Sequence, residues 1–175
     1  MDTYTLRRAG KSDADALALV GAASFLSAFL DIIPGEHLIA HCRTQHSAEK
    51  YAAWLADPDP QVACWLCEHA KTGAPAGYAV TCAPDLPIPL QPGDLELKRI
   101  YLLPRAHGSG AGKALMDAAL AHAETLGAPR LLLGVYDGNA RAIAFYRRNG
   151  FDTVGTRRFQ VGGALFDDLV MSRTL

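Results

Sequence analysis

The feature that most constrains the fold is a glycine-rich run between an apolar segment and a segment with helical periodicity. It reads PRAHGSGAGKAL over residues 104–115 and contains Gly108, Gly110 and Gly112. Glycine lacks a Cβ, so backbone N–H groups in such a run can converge on one point and approach a ligand closely. The start of the following helix adds unpaired N–H groups and the positive end of its dipole. The run therefore predicts a phosphate or pyrophosphate site, and a plain connecting turn is the alternative.

The segments around the glycine run predict a βαβ unit. Residues 95–103 are predicted to form a strand, residues 111–126 a helix, and residues 130–135 a second, strongly apolar strand. Two strands joined by a helix within about forty residues favour a parallel pair.

Hydrophobic periodicity and turn residues predict the other elements. They are strands at residues 4–7, 62–69, 76–82, 151–160 and 164–173, and helices at 36–45, 47–56, 139–148 and after Ser12. In the helix after Ser12, we expect Ser12 to be the N-cap and Leu19, Ala23, Leu26 and Leu30 to face the core. The predicted fold is α/β (α+β), with a mixed, mostly antiparallel sheet of about seven strands and about four or five flanking helices. We expect one domain over residues 1–175.

Composition excludes several classes of protein. A net charge of −1 argues against a general nucleic-acid binder, because neutralising phosphates requires a basic excess. The longest uncharged apolar-rich run, residues 16–30, is shorter than a membrane span and contains serines and a glycine. Its periodicity suits a core helix better than a signal peptide. We therefore expect a cytoplasmic protein with no membrane partner.

The cysteines and histidines do not predict a metal or redox site. Cys64 and Cys67 have C-x-x-C spacing, but they lie in a predicted strand, where residues three apart face opposite sides. His37 and His41 share one face of a predicted helix, yet no third ligand follows at metal-motif spacing. No metal is expected.

Two nucleotide-binding motifs are close to the glycine run without matching it. A dinucleotide-binding fold requires G-x-G-x-x-G and further βα units, whereas this spacing is G-x-G-x-G. A P-loop requires a hydroxyl residue after its lysine, and Ala114 stands there.

The sequence resembles the GNAT superfamily of acetyl-CoA-dependent N-acetyltransferases over nearly its whole length. The family signature is Q/R-x-x-G-x-G/A. Residues 105–110 satisfy it literally, whereas the register judged by the following helix is 107–112, with His107 at the Gln/Arg position. A second family motif follows in order as NARAIAFYRRNGF over residues 139–151.

The resemblance implies acetyl-CoA as co-substrate, inserted between two splayed strands. Backbone groups of Tyr101, Leu102 and Leu103 would bind the pantetheine arm, and Asn139 would cap its helix and contact the same arm. The pyrophosphate would be bound by the amides of His107, Gly108, Ser109, Gly110, Ala111, Gly112 and Lys113. The Lys113 side chain would add charge near a phosphate or be a solvated surface lysine.

The resemblance also implies direct attack of a primary amine on the thioester. Such an amine has a pKa of about 10.4, so a carboxylate that accepts its proton helps. Glu96 is the predicted general base, and a glutamate paired with Lys98 is the alternative. Tyr146 is predicted to contact the coenzyme and to be the general acid that protonates the departing thiolate; an aromatic packed beside Phe145 is the alternative. A backbone N–H around Leu103 would stabilise the oxyanion.

A narrower resemblance, to bacterial polyamine acetyltransferases, concerns the acceptor. It rests on ELKRIY at residues 96–101, on His107-Gly108 and on residues 159–171. It implies a spermidine- or spermine-like amine and an acidic cleft, for which Asp31, Glu36, Asp94 and Glu96 are candidates; ordinary solvated carboxylates are the alternative. Other small primary amines, or a protein amine, stay open as acceptors. An acyl-CoA-binding sensor or interaction module without turnover is the alternative function, and many family members form homodimers.

Overall fold

The computed structural model describes residues 3–175, which form a seven-stranded sheet with helices on both faces. The strands are β1 (Tyr4–Arg8), β2 (Ala63–His69), β3 (Pro75–Cys82), β4 (Leu95–Leu102), β5 (Arg130–Tyr136), β6 (Asp152–Val161) and β7 (Ala164–Thr174). The helices are α1 (Ala14–Phe29), α2 (Gly35–Gln45), α3 (Ala48–Ala56), α4 (Ala111–Thr125) and α5 (Ala140–Arg148). The strand order is β1-β2-β3-β4-β5-β7-β6, which confirms the predicted mixed α/β fold.

The two central strands, β4 and β5, are the parallel neighbours in a sheet whose other neighbours are antiparallel. They pair only at their beginnings, where Leu95 lies opposite Leu131 and Glu96 opposite Leu132. Beyond these pairs the strands separate, so a gap opens between residues 97–102 and 133–136. The splayed strand pair is therefore confirmed.

Alternation of side chains gives the sheet two differently covered faces. On one, the α4 face, side chains of β4 and β5 pack with α4 and α5; they include Leu95, Leu97, Leu131, Leu133 and Val135. On the other, the α1 face, side chains of β2 and β3 pack with α1 and α3; they include Cys64, Leu66, Tyr78 and Val80. Cys67 belongs to the α4-face cluster, so the two sulfurs of the C-x-x-C pair face opposite sides, as predicted.

The buried stripe of α1 differs from the predicted one. Leu17 and Val20 are buried, whereas Leu19, Leu26 and Leu30 are 65%, 51% and 57% exposed. The helix is apolar around most of its circumference, so its spacing pattern fits two different stripes. Packing against β3 and α3 decides which one is covered.

The start of α1 also differs from the prediction. A 3-10 turn at Lys11–Asp13 precedes the helix, and the Asp13 carboxylate accepts the Gly10 N–H at 2.7 Å. The same carboxylate pairs with the Arg7 guanidinium at 2.8 Å. Asp13 is thus the N-cap residue of α1 by position, but its carboxylate bonds back to Gly10 and not to an amide of α1. The side-chain cap that we predicted at Ser12 is therefore not formed.

By length and composition alone, the stretch Lys11–Phe29 meets the criterion for a helix that crosses a membrane. The core helix of a soluble protein and an N-terminal signal sequence meet the same criterion. In this structure 28% of the stretch is buried, and Leu17 and Val20 are among its buried residues.

Candidate active site

The gap between β4 and β5 leaves backbone groups of β4 without a strand partner. The N–H of Leu103 donates to the Ala76 carbonyl of β3 at 2.8 Å. Hydrogen-bond directions alternate along a strand, so the N–H of Leu102 points away from β3 and into the gap. Among the N–H groups around Leu103, that of Leu102 faces the gap, whereas those of Leu103 and Tyr101 face β3. The role of oxyanion donor stays a prediction, and Leu102 is the residue whose N–H is placed for it.

The glycine loop (residues 107–112) joins the end of β4 to α4. Gly108 and Gly110 have φ values of 78° and 91°, a left-handed conformation that favours glycine. Within residues 3–175, no acceptor is found for the backbone N–H groups of Gly108, Gly110, Gly112 and Lys113. The other N–H groups of the predicted set, those of His107, Ser109 and Ala111, bond internally. Four of the seven predicted amides are thus free to bind an anion at the start of α4.

His107 stands where the family signature has Gln or Arg. Its Nε2 lies 3.2 Å from the Leu102 carbonyl oxygen, and its Nδ1 lies 2.7 Å from Nη1 of Arg141. A guanidinium can only donate, so Nδ1 is the acceptor and Nε2 carries the proton. Burial and the Arg141 charge lower the pKa of His107, which favours this neutral form. The ring therefore connects the end of β4 to the first turn of α5.

Helix α5 brings Tyr146 toward the gap. The helix begins at the predicted cap, where Asn139 Oδ1 accepts the Ala142 N–H at 3.0 Å. Tyr146 is 7% exposed and packs edge-on against Phe145, with ring centroids 5.6 Å apart. Burial, and secondarily the Tyr101 phenol, raise the Tyr146 pKa above its ordinary value of 10.0. The hydroxyl therefore stays protonated and can donate a proton.

Two residues predicted to bind the coenzyme also have other roles. The Tyr101 side chain lies on the α1 face, stacked on Tyr78 with ring centroids 6.0 Å apart. Lys113 is exposed and pairs with Asp117 one helical turn later. This pairing matches the alternative of a solvated surface lysine.

Glu96 lies at the closed end of the gap, and its carboxylate is engaged. The residue is 1% exposed; Oε2 accepts the Asp85 N–H at 2.8 Å, and Oε1 lies 3.2 Å from Nζ of Lys98. This arrangement matches the alternative of a salt-bridged glutamate. The role of general base stays a prediction.

The acidic residues proposed for a cleft do not come together. Asp31 and Glu36 are exposed on the α1–α2 side, and Glu96 is bound as described. Asp94 precedes β4, and both of its carboxylate oxygens bind Arg130, the first residue of β5. Oδ1 accepts from Nε at 3.0 Å, and Oδ2 accepts from Nη2 at 2.5 Å. The acidic cleft is therefore wrong for these residues, because the two buried ones are neutralised by basic neighbours.

The α1 face of the gap carries a buried ion pair that the sequence reasoning missed. Arg157 Nε donates to Asp168 Oδ2 at 3.0 Å, and Asp168 is 4% exposed. The guanidinium lies over Gly134 of β5, where a Cβ would come within 2.6 Å of it. Gly134 is two residues beyond the last β4–β5 pair, so the ion pair borders the gap.

The sequence offered little signal for this pair. The final hairpin contains Arg157-Arg158 and Asp167-Asp168, which look like ordinary solvated charges. The β6–β7 register pairs Arg157 with Asp168 and Arg158 with Asp167, and the low exposure of the first pair shows that it is the one facing inward.

Arg99 adds a second buried cation on the α1 face. Its Nη1 lies 2.8 Å from both the Gln45 carbonyl and the Tyr51 hydroxyl, and its guanidinium lies 4.8 Å from the Trp54 ring centroid. Among the described residues, no carboxylate forms an ion pair with it. Burial, together with this charge, lowers the pKa of His41 to about 4.

The histidines do not form a metal centre. In the described part of the chain, no group of three or more His, Cys, Asp or Glu side chains is placed to hold a metal ion. His41 instead stacks on Phe25, with ring centroids 4.2 Å apart.

Comparison with solved structures places this fold among known acetyltransferases. The PaiA N-acetyltransferase of Thermoplasma acidophilum, solved with coenzyme A, superposes with a TM-score of 0.80 at 20% identity over 99% of both chains. A ribosomal-protein-alanine N-acetyltransferase of Brucella melitensis gives 0.75 at 26% identity, over 98% of this chain and 99% of that one.

Sequence comparison gives the family directly. The sequence profile of the Acetyltransferase (GNAT) family matches residues 26–151. A Mycobacterium tuberculosis protein named as an uncharacterized N-acetyltransferase is 38% identical over 164 residues, which cover 94% of this chain and 99% of the relative. The expected resemblance is thereby confirmed: the chain belongs to the acetyltransferase (GNAT) family and is an N-acetyltransferase.

Proposed function

We propose that the protein transfers the acetyl group of acetyl-CoA to a primary amine by direct attack in a ternary complex. The observation that carries the proposal is the position of four free loop amides at the end of β4, beside the β4–β5 gap into which the Leu102 N–H points. Tyr146 packs in the buried cluster that β4 and β5 share with α4 and α5. A relative of the same fold, from Thermoplasma acidophilum, was solved with coenzyme A.

In this proposal the glycine loop binds the pyrophosphate. The free N–H groups of Gly108, Gly110, Gly112 and Lys113 donate to it at the positive end of the α4 dipole. The backbone of β4 at Leu102 lines the gap in which the pantetheine arm lies, with Asn139 on the other side of the arm. The fixed His107 ring holds the Leu102 carbonyl in place.

The chain's residues then assist the attack of the amine. At pH near 7.4 an alkylamine with a pKa of about 10.4 is mostly protonated, and forming the neutral amine costs about 4 kcal/mol. Glu96, or water beside it, accepts that proton in the proposed role of base. The thioester supplies the electrophilic carbonyl carbon, to which the amine nitrogen bonds. The Leu102 N–H stabilises the oxyanion that forms on the carbonyl oxygen. The C–S bond then breaks, and Tyr146 protonates the departing thiolate.

The acceptor, the assembly and the location belong to the same proposal. The narrower resemblance favours a polyamine, while the solved relative from Brucella melitensis is named for a protein amine. Both are therefore included in the test below. A homodimer and a cytoplasmic location are proposed from the family resemblance, and sedimentation and cell fractionation test them.

The proposal is tested by measuring thiol release from acetyl-CoA across a panel of amines. The panel contains spermidine, amino acids, simple alkylamines and a peptide with a free N-terminus. We expect at least one class to accelerate thiol release, with a rate that rises with pH as more amine becomes neutral. If acetyl-CoA binds in calorimetry and no amine accelerates thiol release, even near the amine pKa, the sensor alternative replaces the enzyme.

A further inference from the structure

We infer that the acceptor is a primary amine that carries an anionic group beside the amine, as an α-amino acid with an apolar side chain does. In this inference Asp168 binds the amine and Arg157 binds the anionic group. The inference rests on the proposed function and names the substrate class of the same site.

The first argument is position. Arg157 covers Gly134 at the point where β4 and β5 separate, on the face opposite α4 and α5. The coenzyme loop starts α4, so an acceptor has to reach the thioester through the gap from the α1 face.

The second argument is that each member of the ion pair has unused hydrogen-bonding capacity. Arg157 bonds through Nε and Asp168 through Oδ2. Among the described residues, no hydrogen-bond partner is found for either Nη atom of Arg157 or for Oδ1 of Asp168. The side chains are 19% and 5% exposed, so they are covered on most sides. Charged groups in such surroundings are stabilised when a ligand completes their hydrogen bonds.

The third argument is the balance of charge on this face. Lys98 and Glu96 neutralise each other, as do Arg157 and Asp168, whereas Arg99 has no carboxylate partner among the described residues. Arg99 is therefore a buried cation on this face without a carboxylate ion pair among the described residues. Its charge disfavours a polycation beside it and favours an amine that brings a negative group of its own.

The fourth argument is the apolar wall of the same region. Tyr136 of β5 contacts Phe166 and Phe29, with ring centroids 5.7 and 6.3 Å apart. Phe159 lies 5.4 Å below the Arg157 guanidinium. Aromatic rings around an ion pair suit a ligand whose charged end carries an apolar side chain.

The spacing of the ion pair limits the ligand further. Arg157 and Asp168 are in direct contact, at 3.0 Å. The two charged groups of the acceptor must therefore be separated by very few bonds. An α-amino acid meets this condition, and a long ω-amino acid does not.

The test compares phenylalanine with phenylalaninamide and 2-phenylethylamine in the thiol-release assay. Phenylalaninamide has the more readily deprotonated amine, so without carboxylate recognition it reacts faster than phenylalanine. We expect phenylalanine to have the higher kcat/KM, by about 10- to 100-fold, because its carboxylate forms a charge-assisted hydrogen bond with the Arg157 guanidinium. Arg157→Gln should remove most of that preference, because it lowers the kcat/KM of phenylalanine much more than that of phenylalaninamide.

The controls use the exposed neighbours in the same hairpin. Arg158→Gln and Asp167→Asn alter the adjacent pair, whose side chains are 78% and 75% exposed, and should leave the preference unchanged. Arg157→Lys keeps the charge and serves where Arg157→Gln does not fold, as judged by melting temperature and acetyl-CoA affinity. It should lower the preference by an intermediate factor.

Three results separate the two proposals. Acetylation of amines with no preference for phenylalanine over its amide overturns this inference and leaves the proposed function standing. Equal losses for both substrates in Arg157→Gln, with the fold intact, also overturn it. Acetyl-CoA binding without acetylation of any amine overturns the proposed function itself.

Discussion

Single side chains at the gap have roles that their immediate contacts define. His107 is held as one tautomer between Leu102 and Arg141, so it is a connecting residue as well as a loop residue. Glu96 is fixed by Lys98 and a backbone amide. Tyr146 has a raised pKa that suits an acid, because the proton remains on the hydroxyl throughout the neutral pH range.

Replacing Tyr146 by Phe tests the acid role directly. We expect kcat to fall by about 10²- to 10⁴-fold, the usual contribution of a positioned acid, with little change in acetyl-CoA affinity. The raised pKa of Tyr146 also means that loss of its proton does not lower wild-type activity below pH 10, since the hydroxyl loses its proton only above that value. Tyr4→Phe, at a tyrosine outside the gap, is the control. Unchanged turnover in Tyr146→Phe contradicts the assignment.

At the scale of elements, α1 shows how packing selects one face of an apolar helix. Leu17 is fully buried against β3, and Leu19, two positions on, is mostly exposed. Both are leucines in the same helix, with the same intrinsic helix propensity. The difference between them is therefore entirely tertiary.

These two leucines give a matched pair of substitutions. Leu17→Ala should lower the free energy of unfolding by about 2–5 kcal/mol, because it removes buried methyl groups and leaves a cavity. Leu19→Ala should change it by no more than about 0.5 kcal/mol. Urea unfolding measures both. A similar loss for the two variants contradicts the assigned face, or indicates that Leu19 is covered by a partner such as a second copy.

At the scale of the whole molecule, α2, α3 and β4 enclose an uncompensated positive charge together with neutral histidines. His46 is 4% exposed, and its Nδ1 lies 2.9 Å from the Tyr51 hydroxyl and 3.3 Å from Arg99 Nη1. Burial, then Arg99, then His41, lower its pKa from 6.5 to about 3. The fold therefore opposes protonation at this position.

This arrangement predicts a loss of stability in mild acid. Between pH 6.5 and about 3, the unfolded chain binds a proton at His46 that the folded chain does not, so stability falls as pH falls. By pH 5, His46 alone should account for about 2 kcal/mol. His46→Gln should remove about that much of the pH 7 to pH 5 difference in urea unfolding. An unchanged difference contradicts the prediction.

Another titrating pair does not interfere in that window. The Arg7 guanidinium lowers the pKa of Asp13 from 3.8 to about 2. The stability it contributes is present above pH 3.8 and is lost only as pH falls toward 2. It is therefore constant between pH 7 and pH 5.

The sequence by itself determined the elements and the loop. The glycines at 108 and 110 require a left-handed turn, Asn139 requires a helix start, and strand alternation places Cys64 and Cys67 on opposite faces. These are local effects, because backbone sterics, capping and side-chain period act over a few residues.

Only the tertiary structure decided which groups meet. The free N–H of Leu102 rather than Leu103, the inward-facing Arg157 and Asp168, and the buried Leu17 all depend on strand register or on packing between distant elements. A shift of one residue in register turns every side chain of a strand to the other face, and local sequence does not encode that choice. The coenzyme loop was therefore predictable from the sequence, whereas the face that meets the acceptor was not.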